Sequence, residues 1–204
     1  MTTGLSAAAA VLAMATPRIA LAQTCTPPPT QGPAAAPAPI GPASQFCTGS
    51  YATGIGYTET TTGGNLSVTL AGPGTVNGVV LNDSGGATAA NLTLVLGNAT
   101  SGAQNITGAG NAVTITSSGG NVVIATGNST IPGETITGNV GGIDVSTTGN
   151  GTVNVSTVAN VTGLASNGIR THTVNGSNTV NVGGNVVAAA GSGVRAYSTG
   201  SGAV

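Results

Sequence analysis

From residue 51 onward, apolar and polar side chains alternate with a period of two in short runs: NLSVTL, NLTLVL, AVTIT, NVVIAT and TVNVST, each bounded by Gly, Asn or Ser. Alternation of this kind predicts half-buried β-strands, because successive side chains of a strand point to opposite faces. No run carries the 3.6-residue apolar spacing of an amphipathic helix, so helix is not expected.

The runs recur. NLSVTL begins at Asn65 and NLTLVL at Asn91, 26 residues later. GIDVSTTGNGTVNV begins at Gly142, GIRTHTVNGSNTVNV at Gly168 and GVRAYSTGSGAV at Gly193, at intervals of 26 and 25. Between residues 97 and 138 the spacing is looser. A repeat of this length with several strands and no helix predicts a right-handed parallel β-helix with coils of 25–26 residues over residues 51–204, stacked at the strand spacing of about 4.8 Å. Some six coils, a rod of about 29 Å, are expected. Asn-Gly pairs at 77–78, 150–151, 167–168 and 175–176 are expected at corners, where both residue types tolerate positive φ. STGSGAV, from Ser198 to Val204, aligns with STTGNGTV, from Ser146 to Val153, which places the last residue in mid-coil and suggests a piece of a longer protein.

Composition sharpens this picture. Charged residues are 3% and aromatic residues 2% of the chain, against 35 glycines. A narrow coil interior filled by Val, Ile, Leu and Ala accounts for the scarcity of aromatics. There are three Arg (Arg18, Arg170 and Arg195), no Lys, four acids and one His, for a net charge of −1. No basic patch exists to neutralise a run of phosphates, which excludes nucleic acid as a partner. Solubility has to come from hydroxyls and amides.

The first 50 residues are different. LSAAAAVLAMA, residues 5–15, has the length of a signal-peptide apolar region and is too short to span a membrane as a helix; no Lys or Arg precedes it. ALA at residues 20–22 predicts cleavage between Ala22 and Gln23, giving a signal peptide over residues 1–22. Residues 23–50 form a Pro-rich segment: seven of the ten prolines fall between Pro27 and Pro42, bracketed by Cys25 and Cys47, the only cysteines. In an exported chain the two cysteines most simply form a disulfide, worth roughly 3 kcal/mol in the chain-entropy model. Free thiols or a metal site are the alternatives, the latter short of ligands.

A leader, a Cys-bracketed Pro-rich segment and coils of the GI-x-x-x-x-x-G-x-x-TVNV kind resemble the passenger of bacterial autotransporters. The likeness rests on periodicity and composition, not on a fingerprint motif. It implies a secreted or cell-surface location in a Gram-negative bacterium. In that family a C-terminal β-barrel anchors the chain in the outer membrane; no such barrel is in this sequence. Filamentous-haemagglutinin-like secreted exoproteins have a similar β-helical character.

Candidate chemistry is sparse. Aligning Gly142, Gly168 and Gly193 puts Asp144, Arg170 and Arg195 in one outward column and Ser146, His172 and Tyr197 in another, with Ile143, Val145, Ile169, Thr171, Val194 and Ala196 inward. Arg170, His172, Arg195 and Tyr197 are thus expected as a surface group, with Asp144 beside Arg170 and His172 beside Tyr197. NDSGGA, residues 82–87, superficially resembles the GDSGG segment of trypsin-like proteases. The only His lies downstream instead of upstream, and a strand corner explains the stretch better. Glu59, Asp83, Glu134 and Asp144 form no pair in sequence for acid–base chemistry or calcium. Asn-x-Ser/Thr triplets are numerous, for example at Asn65, Asn91, Asn98, Asn105, Asn154 and Asn160, and reflect the Asn, Ser and Thr alphabet more simply than glycosylation. The expected function is a non-catalytic surface stalk or adhesin without cofactor or metal, its partners glycans, matrix or other cells. The alternative is a β-helical carbohydrate-active enzyme whose site lies outside this chain.

Overall fold

The computed structural model describes residues 25, 38–40, 43–60, 63–84, 89–97, 103–126 and 133–204. The expected leader with its expected Ala22–Gln23 cleavage site, Arg18, Asn98 and most of the Pro-rich segment lie outside the described residues. Among the described residues there are eighteen strands and no helix. In chain order they are β1 (Ala38–Ile40), β2 (Ala43–Thr48), β3 (Ile55–Glu59), β4 (Asn65–Ala71), β5 (Gly74–Val76) and β6 (Val79–Asp83). Then follow β7 (Asn91–Leu96), β8 (Gln104–Gly108), β9 (Val113–Ser117), β10 (Val122–Thr126), β11 (Thr135–Gly138) and β12 (Ile143–Thr147). The last six are β13 (Val153–Thr157), β14 (Asn160–Gly163), β15 (Ile169–Thr173), β16 (Asn178–Val182), β17 (Val186–Ala188) and β18 (Val194–Ser198).

They form a three-faced parallel β-solenoid. The first face has seven strands, β1-β3-β6-β9-β12-β15-β18; the second has six, β2-β4-β7-β10-β13-β16; the third has five, β5-β8-β11-β14-β17. Every ladder is parallel, and each strand pairs with its counterpart one coil away. The second face makes five coil-to-coil steps, a rise of about 24 Å at the parallel-strand spacing. Because β1 and β2 already belong to these faces, the stack begins inside the Pro-rich segment and not at residue 51.

Alternation does what the sequence predicts. Inward columns run Leu66–Leu92–Val122–Val153 and Val68–Leu94–Ile124–Val155 on the second face, and Ile55–Val79–Val113–Ile143–Ile169 on the first. All are buried, each worth about 1.5–3 kcal/mol of transfer free energy. The expectation that aromatics find no room inside is overturned at the N-terminal end. Tyr57 is 0% exposed in the column below Leu81, and Tyr51 is buried beside it. Burial, and secondarily the neighbouring Tyr51, pushes the Tyr57 hydroxyl up to about 12. Cys25 and Cys47 form a disulfide; Cys47 is a buried residue of β2, Cys25 packs on the same core, and the Tyr51 hydroxyl donates to Cys25 Sγ at 3.2 Å.

The corners are built differently from the expectation. Among the described residues none other than glycine has positive φ, and of the four Asn-Gly pairs only that at 77–78 has its glycine there, with Gly78 at φ 89°. Asparagine acts instead through its side chain. Asn65 Oδ1 accepts from Asn91 Nδ2 at 2.8 Å, Asn91 Oδ1 from the Asn121 amide at 2.9 Å, and Asn121 Oδ1 from the Thr152 amide at 2.9 Å and its hydroxyl at 3.0 Å. Asn105, Asn160, Asn167 and Asn175 hold the next coil in the same way. Each ladder satisfies a main-chain N–H at a corner, where the sheets offer it no partner. Glycine serves close approach. A Cβ on Gly151 would stand 2.1 Å from Gly120 O, and one on Gly176 would stand 1.8 Å from Gly151 O.

Coil length varies more than the repeat suggested. The step is 24 residues from Ile55 to Val79, 34 from Val79 to Val113, 30 from Val113 to Ile143, then 26 and 25. At the far end Ser198 pairs with Thr173, the coil-mate of Thr147, so the alignment of Ser198 with Ser146 is one residue off. Val194 continues the inward column from Ile169 but is 41% exposed on the last coil of the stack.

Candidate functional site

On β15 the burial alternates so that Ile169, Thr171 and Thr173 face the core and Arg170 and His172 face outward. The parallel register then fixes their neighbours. Arg170 pairs with Asp144 below and Arg195 above; His172 pairs with Ser146 below and Tyr197 above. All four predicted surface residues therefore converge on one spot of the first face.

Their contacts form a connected network. Arg170 Nη1 donates to both Asp144 carboxylate oxygens at 3.1 Å, and Nη2 donates to the Tyr197 hydroxyl at 2.7 Å. Asn111 Nδ2 adds a third hydrogen bond to Asp144 at 3.1 Å. The His172 and Tyr197 rings stack with centroids 4.7 Å apart and planes 25° from parallel. His172 Nε2 lies 3.2 Å from Thr199 Oγ1. Arg170 and Arg195 place their guanidinium carbons 5.7 and 5.1 Å from the Tyr197 ring centre. Donation to the Tyr197 hydroxyl is the largest influence on the Arg170 pKa and raises it; burial opposes this, and the Asp144 charge adds to the rise, leaving the pKa above its ordinary value. The half-exposed ion pair is worth about 0.2–1 kcal/mol, and each cation–π contact roughly 0.5–1 kcal/mol.

What sequence reasoning missed is the contrast with the rest of the molecule. Glu59, Asp83 and Glu134 are all buried. Among the described residues, Asp144, Arg170 and Arg195 are consequently the only carboxylate and guanidinium groups at the surface, and the spot carries a formal charge of +1. Glu59 and Asp83 are paired across a coil boundary at the corner between the first and second faces, a pairing that sequence distance hides. Asp83 Oδ2 accepts from the Ala90 amide at 3.1 Å and from the Ser118 amide and hydroxyl at 3.2 and 2.7 Å. Of the NDSGGA stretch, Asn82 and Asp83 end β6 and the Ser84 hydroxyl donates to Glu59 O at 3.3 Å; Gly85, Gly86 and Ala87 lie outside the described residues. Glu134, 2% exposed, has no hydrogen-bond partner on either oxygen, and burial raises its pKa; the Gln104 backbone amide points toward it and offsets part of that effect. A signal was available: Asp83 and Glu134 flank the stretches that lengthen the longer coils.

Chemically, the spot offers a fixed aromatic ring, one paired and one unpaired guanidinium and an imidazole. Among the described residues no three His, Cys, Asp or Glu side chains come together as metal ligands. Comparison with protein-family models, curated proteins and solved structures found no match.

Proposed function

We propose that this chain is the exported passenger segment of an autotransporter-type surface protein and works without catalysis, as a rigid rod that presents an uncharged hydroxyl- and amide-rich surface to glycans, matrix or neighbouring cells. The observation that carries this reading is the pairing of a β-solenoid with outward positions that are almost all neutral. A rod of that kind projects from a surface and stays soluble through amides and hydroxyls. The leader and the Cys-bracketed segment support export.

The test is expression of the whole natural reading frame in a Gram-negative host, followed by surface labelling and protease shaving of intact cells. The expected result is labelling of intact cells. Confinement to the cytoplasm overturns the reading, and release into the medium without an anchored fraction favours the filamentous-haemagglutinin-like alternative. Incubation with acidic polysaccharides is the second arm. Released oligosaccharides would replace the stalk with a carbohydrate-active enzyme.

A further inference from the structure

The first face concentrates all of the described surface charge at β12, β15 and β18, and that charge is not self-cancelling. Asp144 is taken up by Arg170 and Asn111. Arg195 is exposed and touches the Tyr197 ring, with no ion pair or hydrogen bond among the described residues. Its planar fork of donors matches a carboxylate, and it is held ready, because Tyr197 is itself fixed by Arg170 at its hydroxyl and by the stack on His172.

The surroundings say what kind of molecule carries that carboxylate. Thr116, Ser146, His172 and Tyr197 form one outward column, stepping at the coil spacing of about 4.8 Å, comparable with the repeat of a linear sugar chain. Hydroxyl and imidazole groups at that interval suit hydrogen bonding to sugar hydroxyls. A phosphate-rich polymer would need several uncompensated cations, and this face has one.

We propose that the outward face of β12, β15 and β18 binds the carboxylate groups of a linear acidic polysaccharide, with Arg195 as the docking cation and Tyr197 and Arg170 as the groups that position it. This rests on the non-catalytic surface-rod reading and names its ligand class. One site of this kind binds weakly; a polymer gains from repeated engagement of many copies on a surface.

The test is affinity electrophoresis of the full chain in gels containing polygalacturonate, neutral dextran or dextran sulfate. Retardation is expected in polygalacturonate only, and it weakens with added salt. Arg195→Gln lowers apparent affinity by roughly five- to tenfold, as expected for loss of one charge-assisted bidentate contact. Asp144→Asn raises it, because the counter-charge is gone. Both side chains are at the surface, so circular dichroism should be unchanged, and a merely structural role cannot produce opposite signs. No retardation in polygalacturonate, or equal retardation of wild type and Arg195→Gln, overturns the proposal while leaving the surface rod intact. Stronger retardation in dextran sulfate that Arg195→Gln abolishes overturns the carboxylate assignment in favour of sulfate. Cleavage of the polygalacturonate overturns the rod reading itself.

Discussion

Replacing Gly151 by alanine tests the close-packed corner directly. The new Cβ would lie 2.1 Å from Gly120 O and 2.6 Å from both Gly120 C and Gly119 O, where real Cβ contacts are essentially never under 3.0 Å. All three atoms are backbone of the coil below, so no side chain can swing aside. Relief requires the two coils to part by about 1 Å at this corner, which takes the 2.8 Å bond from the Val122 amide to Thr152 O out of range. Overpacking of this sort costs about 1–3 kcal/mol and the lost main-chain bond about 1 kcal/mol more, so a loss of roughly 2–4 kcal/mol is expected. Two other glycines serve as controls. Gly110 has nothing within 4 Å of its Cβ position and lies outside the left-handed region, so Gly110→Ala should gain about 0.4–1 kcal/mol through the unfolded chain. Gly72 has equal space but φ +88°, so Gly72→Ala should lose about 1–2 kcal/mol to strain alone. Urea unfolding followed by circular dichroism ranks the three. Gly151→Ala within 0.5 kcal/mol of wild type, a tolerance on the order of ordinary surface substitutions, would refute the reasoning.

Glu134→Gln should stabilise the fold at neutral pH, by about 1–3 kcal/mol for a buried carboxylate without partners, and should do nothing at strongly acid pH. The sign follows from its raised pKa: the wild-type residue is harmless below the ordinary Glu pKa, where both folded and unfolded chains hold the proton, and stability falls as pH rises through the higher folded value. Thermal midpoints of both proteins from acid to neutral pH check this; parallel curves would contradict it. Reducing the Cys25–Cys47 disulfide should cost roughly 3 kcal/mol, read as a lower midpoint in the presence of reductant, and an unchanged midpoint would remove the bridge from the stability of the first coils. Asn121→Ala removes the acceptor of two bonds from Thr152 and should cost about 1–2 kcal/mol, with faster hydrogen exchange at the Thr152 amide; unaltered exchange there would count against the ladder.

Where coils keep a constant length, the sequence was readable residue by residue. The interval from Gly142 to Gly168 to Gly193 placed Asp144, Arg170 and Arg195, and beside them Ser146, His172 and Tyr197, in the columns that the ladders contain. The middle coils were less legible because most of their extra residues sit at one corner, between the second and third faces. Seven residues separate β7 from β8 and eight separate β10 from β11, against two between β13 and β14, as the bounds Leu96–Gln104, Thr126–Thr135 and Thr157–Asn160 show. A period sought at fixed spacing is lost there although every strand still finds its partner. Asn was misjudged because local rules assign it to positive φ, whereas in a stack its amide has a main-chain N–H one coil away to satisfy. The pairing of the buried acids was hidden for a similar reason. Alternation from Ile55 and Tyr57, and from Val79 and Leu81, puts Glu59 and Asp83 on the inward side, but that the two meet follows only from the coil step.

That placement of the extra residues has a consequence for how such a rod can change. The step from Val79 to Val113 is 34 residues and that from Ile169 to Val194 is 25, yet both deliver Val or Ile to the same inward column. Length is absorbed outside the ladders, so an insertion at a corner is a local event that leaves neighbouring coils aligned. The rod therefore behaves as a ruled scaffold with interchangeable attachments. New segments can be spliced between the second and third faces, at a known height and azimuth, while the spacing that sets the reach of the molecule stays the same.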